Sequence, residues 1–207
     1  MKISYAVTVC NEIDEITKLL NFLQLNIRKE DEIVIQYDES SVTNEVKQYV
    51  DLMDMMHDNH KVVGFPLNKD FASFKNNLKS NCSGDYIFQI DADEIPHSAL
   101  IEYLPEVLTN NPVDIVFVPR VNTVEGLTDE HIQKWGWKVN EKGWVNWPDY
   151  QWRIWKNKPE IKWKNKVHEV LEGFKTYAPL PSIEGAALYH PKSIDRQEKQ
   201  NAYYDTL

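Results

Sequence analysis

Hydrophobic and polar positions along the first 120 residues switch between two periods. Ile3 to Val9 is a short β-branched apolar run that reads as a strand, and Ile13, Ile16, Leu19, Leu20 and Leu23 then recur at the spacing of one helix face. Glu32 to Tyr37 predicts a second strand; a polar break follows at Asp38 to Ser41, and Val46, Val50 and Met53 mark a second helix. Lys61 to Phe65 predicts a third strand closed by Pro66, and Phe71, Phe74 and Leu78 share one face of a helix that Gly84 is expected to end. Tyr86 to Ile90 predicts a fourth strand, Ala99 to Leu108 a helix that carries Pro105, and Asp114 to Pro119 a fifth strand. This β-α-β-α alternation on short connections predicts an α/β fold with a mostly parallel central sheet flanked by helices.

Beyond residue 120 the pattern changes. All seven Trp lie between Trp135 and Trp163, clean helical periods are few, and Gln151 to Trp155 reads as a short strand. Ile194 to Tyr204 reads as a terminal helix. No Gly-, Ser- or Pro-rich linker, repeat or low-complexity tract divides the chain, so 1–207 reads as one domain, with 1–120 as one half and 121–207 as a smaller, Trp-rich mixed half. Most of the Trp are expected to be core, with one or two of Trp135, Trp137, Trp144 and Trp147 free to pack on the apolar face of a sugar.

Composition narrows the classes. At 42% hydrophobic and 27% charged, the 207 residues are those of a packed globular protein. Tyr5 to Cys10 and Ile115 to Pro119 are among the longest apolar runs, far short of the ~20 residues that cross a bilayer, so no transmembrane segment is expected. The amino terminus runs into a strand and offers no signal-peptide pattern, which makes the cytoplasm the default expectation. Cys10 and Cys82 are too few for a disulfide framework or a thiolate metal site and read as free thiols. A net charge of −9 argues against nucleic acid as a partner. The charge is uneven: residues 1–130 carry 10 basic and 23 acidic side chains, residues 131–207 carry 13 and 9. Arg153, Lys156, Lys158, Lys162, Lys164 and Lys166 form a basic strip, read as solvated surface or as a face for an anionic acceptor.

Candidate chemistry gathers at strand ends. In parallel α/β sheets ligands bind outside the carboxyl ends of the strands. The first strand ends in Thr8, Cys10, Asn11 and Glu12, the second in Asp38, Glu39 and Ser40, the fourth in Asp91, Asp93 and Glu94. Asp38 by itself reads equally as a turn or helix cap. Asp91-Ala92-Asp93-Glu94 directly after an apolar strand suits a hard cation such as Mg²⁺ or Mn²⁺, which prefers carboxylate oxygens. Strand alternation is expected to turn Asp91 and Asp93 to one side and Ala92 away; the competing reading is an acidic turn that caps the helix starting near Pro96.

The stretch Gly84 to Glu94, GDYIFQIDADE, resembles the metal-binding DXD segment of family 2 glycosyltransferases of the GT-A fold. Val7 to Glu12 is similar to that family's first strand and following Asn-Glu, Tyr37 to Ser40 to its Asp-Asp-x-Ser, and Lys75-Asn76 to its Arg-Asn pair. DADE, with the later DYQWRIW, KVHEV and LYHP, looks most like the branch that includes lipopolysaccharide core glycosyltransferases. The chain departs from the pattern where Lys75 replaces Arg, Cys10 replaces Tyr and Tyr37 replaces the first Asp.

The resemblance implies transfer of a sugar, usually with inversion, from a nucleotide-sugar donor, most often a UDP-sugar, to a carbohydrate-containing acceptor, with Mn²⁺ or Mg²⁺ on the diphosphate. It implies donor contacts at Thr8, Cys10, Asn11, Glu12, Asp38, Lys75, Asn76, Asp91 and Ala92. The metal falls to Asp91, Asp93 and His190, with His168 competing for the histidine role. An inverting transfer needs a general base, for which Asp149 and Glu169 are the candidates, and a structural salt bridge from Asp149 to Arg153 is the alternative for the former. Two other functions compete. A nucleotidyltransferase would share the acidic strand end but needs a Gly-rich phosphate loop after the first strand, where Cys10-Asn11-Glu12 stands. A non-catalytic carbohydrate-binding module would account for the Trp cluster but not for three polar strand ends on one edge.

Overall fold

The computed structural model describes residues 1–204, with side chains through residue 202. In chain order its elements are β1 (Ile3–Val9), α1 (Ile13–Asn26), β2 (Glu32–Asp38), α2 (Asn44–Met56), β3 (His60–Phe65), α3 (Phe71–Ser80), β4 (Tyr86–Asp91), β5 (Ile95–Pro96), α4 (Ser98–Asn110), β6 (Ile115–Val118), β7 (Arg120–Glu125), α5 (Asp129–Trp135), β8 (Gln151–Lys156), β9 (Lys162–Lys164), β10 (Val170–Glu172), β11 (Tyr177–Pro179), β12 (Leu188–Ser193) and α6 (Ile194–Tyr204).

Seven strands form the main sheet in the order β11-β6-β8-β4-β1-β2-β3. β1 pairs in parallel with β2 and β4, β2 with β3, and β6 with β11, while β8 runs antiparallel between β4 and β6. A smaller sheet, β5-β12-β7, stands beside the carboxyl end of β4, and β9-β10 forms a hairpin over α3. The expected α/β architecture with a mostly parallel sheet is therefore the one observed.

Side-chain alternation along β1 explains the two cores. Ile3, Tyr5, Val7 and Val9 face α1, α2 and α4, packing with Leu19, Leu20, Leu23, Val50 and Leu104; Ala6 faces the other way, with Val34, Ile87, Trp155 and Trp163 beneath α3. Trp155 is fully buried and meets Trp163 edge-on, ring centroids 5.5 Å apart, so these two indoles are core. Trp144 and Trp147 pack in a third cluster with Val121, and Trp135 and Trp137 remain half-exposed near α5.

Gly84 does not end α3. That helix stops at Ser80 with Asn81 as its cap, and Gly84 instead passes against β1, where a Cβ would lie 2.6 Å from Ser4 N. The close approach, not a left-handed turn, is what requires glycine there.

His60 opens β3 with both ring nitrogens buried and, among the described residues, without a hydrogen-bond partner. Burial, helped by the neighbouring His57, pushes its pKa from 6.5 down to about 4. The unfolded chain therefore takes up the proton first as pH falls from 6.5 towards 4, and stability drops across that window. Discounted for partial solvent access, the loss amounts to about 1–2 kcal/mol. Denaturant midpoints of His60→Phe should lack this part of the acid slope; identical slopes in variant and wild type would exclude His60 as its source.

Candidate active site

The carboxyl ends of β1, β2 and β4 lie side by side because the three strands are adjacent and parallel. Register sets Thr8 opposite Asp91, and the Thr8 hydroxyl donates to Asp91 Oδ1 at 2.9 Å. β4 ends at Asp91, so alternation stops there and Asp93 falls in the following turn. Strand alternation therefore does not set the side to which Asp93 turns, although the Asp91 charge still acts on it. Asp91 Oδ2 accepts from Arg153 Nη2 at 2.6 Å, whereas Asp93 Oδ2 lies 3.2 Å from His190 Nε2 and 3.4 Å from Arg196 Nη2. Ala92 is buried. Burial raises the Asp91 carboxyl, but the charges of Arg153 and Lys75 and the Thr8 hydrogen bond outweigh it and hold Asp91 well below the usual carboxylate range. Asp93 is lowered as well: burial works against this, and the His190 hydrogen bond and charge overcome it.

Glu94 does not cap α4. His97 does so, its Nδ1 accepting from Ala99 N at 3.1 Å. Glu94 is instead fully buried, taking Arg153 Nη2 at 2.6 Å and Arg120 Nη1 at 3.1 Å on Oε1. The insertion of β8 between β4 and β6 is what carries Arg153 to this position.

Asp149 pairs with Arg120 and not with Arg153. Its Oδ2 accepts from Arg120 Nε at 3.0 Å, Arg120 Nη2 at 2.8 Å and Asn122 Nδ2 at 2.7 Å, while Oδ1 accepts from Gln151 Nε2 at 3.0 Å, leaving that oxygen able to accept once more. Asn122 donates through Nδ2 to Asp149, so its Oδ1 accepts from His190 Nδ1, 2.8 Å away. That contact fixes the tautomer and leaves Nε2 of a neutral His190 as a lone pair aimed at Asp93. Two acceptors facing each other need a cation between them or a proton on the ring. The donor set of Asp93 and His190 thus fits a divalent ion whose remaining ligands come from elsewhere.

The other expected residues have structural partners. Glu12 Oε2 accepts from Cys10 N and Asn11 N and closes the turn from β1 to α1. The half-buried Cys10 thiol is pushed up to about 11, by burial first and then by Glu12 and Asp38, and stays neutral near pH 7. Asp38 takes four hydrogen bonds, from Ser40 N and Oγ, Ser41 Oγ and Leu67 N, which is the turn-forming role. Both amide atoms of Asn76 bond the Trp163 backbone and tie α3 to β9. Lys75 forms an ion pair with Glu169 and stands 4.5 Å from the centroid of the Trp163 ring. His168 adopts a left-handed φ of 54° beside Glu169 and, among the described residues, has no hydrogen bond or ion pair to Asp91 or Asp93. Arg120, Asn122 and Arg196 belong to the site without having been singled out from the sequence. The alternation of Arg120 and Asn122 on β7 was the available signal for two of them; Arg196 contacts Glu15, 181 positions away, for which no local pattern exists.

Residues 4–178 match the family model described as Glycosyl transferase family 2. The chain belongs to this family. Its GT-A-like architecture recurs in solved structures. S. aureus TarS, residues 1–349, superposes with a TM-score of 0.63 at 16% identity, covering 92% of this chain and 60% of that one. The same fragment in complex with UDP-GlcNAc gives 0.65 at 16% identity, covering 93% and 59%. The mannosyltransferase PcManGT from Pyrobaculum calidifontis, in complex with GDP-Man and Mn²⁺, gives 0.50 at 18% identity, covering 57% and 35%. This chain therefore spans about 60% of the TarS fragment. No curated protein matches it in sequence. Among the described residues, no helix of this family 2 chain is long and apolar enough to cross a membrane.

Proposed function

We propose that the chain transfers a sugar from a UDP-sugar, with inversion, to a hydroxyl of a carbohydrate-containing acceptor, using Mn²⁺ or Mg²⁺. The observation that carries the reading is the hydrogen-bonded line from Asp93 through His190 and Asn122 to Asp149, which links a cation-suited pair to a carboxylate with a free lone pair. The solved complexes of TarS with UDP and UDP-GlcNAc, and of the mannosyltransferase with GDP-Man and Mn²⁺, support it by shared fold. Residues 1–120 form the donor half and 121–207 the acceptor half, and the DADE, DYQWRIW, KVHEV and LYHP segments favour the lipopolysaccharide core branch. Residues 205–207 lie outside the described residues.

In this reading Asp93 and His190 hold the ion, which when bound supplies Lewis-acid stabilisation of the leaving diphosphate. Asp149 Oδ1 takes the proton of the acceptor hydroxyl as its oxygen bonds the sugar C1 and the bond to the diphosphate oxygen breaks. Arg120 and Asn122 orient Asp149, while Thr8 and Arg153 hold Asp91 as a positioning residue. In this reading Asp91 supports the site rather than binding the ion.

The test is turnover of a nucleotide-sugar panel with Mn²⁺ and in excess chelator, beside thermal protection by UDP and GDP. UDP is expected to protect more than GDP. Asp93→Ala should lose activity by several kcal/mol of transition-state stabilisation, about 10²-fold or more, with its unfolding temperature nearly unchanged. Asp91→Ala should lose stability as well, because it strips a partner from Arg153. Undiminished turnover in chelator would remove the metal from the reading, and equal protection by the two nucleotides would remove uridine.

A further inference from the structure

Between β7, β12 and the start of α6 lies an open cavity of about 660 Å³, lined in part by Lys142, Lys192, Arg196, Glu15 and Glu125. Its cations are unequally satisfied. Lys142 is paired with Glu184 at 2.9 Å, and Arg196 with Glu15 at 2.8 Å, Asp93 at 3.4 Å and Glu12 at 3.5 Å. Lys192 forms no ion pair among the described residues. Its ammonium, on a half-buried side chain, donates to the neutral amide oxygen of Gln200. Withdrawing a charge from water without a counter-ion is costly, and it marks a place where an anion would be held.

The position of Lys192 decides which anion matters. β12 residues two apart point to one face of the sheet, so Lys192 follows His190 on the same side, roughly 6–7 Å further along the strand. β7 carries Arg120, Asn122 and Val124 opposite Leu188, His190 and Lys192, which makes the cavity a continuation of the row of polar side chains that ends at Asp149. Arg196 joins the two, with one guanidinium nitrogen on Asp93 and another on Glu15 in the cavity wall. A rotation of that side chain would exchange Glu15 for an incoming oxyanion. Glu15 is already neutralised by Arg196, and Glu125 lies exposed at the rim.

We propose that this cavity is an oxyanion site, in which Lys192 and Arg196 bind a phosphate-class group brought by the donor or by the acceptor. The assignment of that group to a substrate rests on the nucleotide-sugar reading above; the site itself rests on the cavity and on an ammonium that has a neutral partner but no ion pair among the described residues.

Inorganic phosphate is the probe. Thermal unfolding of the full chain is compared in potassium phosphate and potassium chloride at matched ionic strength, for wild type, Lys192→Met and Lys192→Arg, with UDP affinities measured in parallel. Phosphate should protect wild type and Lys192→Arg, and bind Lys192→Met about tenfold or more weakly. A parallel loss of UDP affinity in Lys192→Met assigns the site to the donor diphosphate. Unchanged UDP affinity with a raised KM for acceptor assigns it to an anionic acceptor. Absent protection of wild type, or equal protection of wild type and a folded Lys192→Met, overturns the site. A wild type that binds phosphate through Lys192 but no nucleotide would overturn the sugar-transfer reading and leave the site standing.

Discussion

Asp149→Asn is expected to lower sugar transfer by about 10²–10⁴-fold, the range that a positioned general base supplies, while leaving UDP affinity within about twofold of wild type. The geometry makes this substitution unusually clean. Asp149 Oδ2 receives all three hydrogen bonds from Arg120 and Asn122, and the amide oxygen of the variant can take the same place. The new NH₂ group then stands where Oδ1 was, facing Gln151, whose amide can flip to accept from it. Arg120 keeps Glu94 as its remaining carboxylate. What disappears is the lone pair on Oδ1 and the charge that makes it basic. Turnover and UDP binding by calorimetry are the measurements, with Glu169→Gln as the comparison. Glu169 is bonded to Lys75, so its substitution should disturb that contact without removing a proton acceptor. An inactive Glu169→Gln beside a fully active Asp149→Asn would reverse the two roles.

The strands that bring the polar strand ends to one edge were readable because of how they are buried. β1 to β4 appear in the hydrophobic pattern to within one residue of their observed ends; for β1, β2 and β4 the reason is that parallel strands covered on both faces must be continuous apolar runs, while the half-exposed edge strand β3 shows through Val62, Val63 and Phe65. β9, β10 and β11 have three residues each and are too short for any period to register. The pairing of Asp149 with Arg153 failed for a related reason. A spacing of four brings side chains together on a helix, but here the segment enters a strand, where the same spacing separates them by roughly 13 Å. Arg153 belongs to β8 and meets Asp91 and Glu94 across the sheet, whereas Asp149 precedes the strand and meets β7. The acidic motif itself was legible as chemistry. Its division of labour was not, because the end of β4 between Asp91 and Asp93 separates a carboxylate that holds an arginine from one that faces a histidine.

That division sets the second large effect. Arg153→Met should destabilise the fold by about 3–5 kcal/mol, the cost of leaving a buried charge without its partner. Arg153 is 5% exposed and Glu94 0%, so water cannot take over the contact that Glu94 loses. Methionine fills the volume, which confines the loss to electrostatics and hydrogen bonding. Glu94 would keep Arg120 at 3.1 Å and the Asp91 amide at 3.2 Å, neither of which replaces the buried pairing to Arg153, and the Asp91 side chain would keep the Thr8 hydroxyl. Adding Glu94→Gln to Arg153→Met removes the stranded charge and should recover a substantial part of the loss, so the double variant is expected to be more stable than Arg153→Met alone. Denaturant midpoints of the two single variants and the double close the cycle, with coupling of about 1–3 kcal/mol between these contacting residues. Additive single effects would mean that Glu94 and Arg153 do not act as a pair, and a loss below about 1 kcal/mol for Arg153→Met would place the pair with solvent-screened surface bridges.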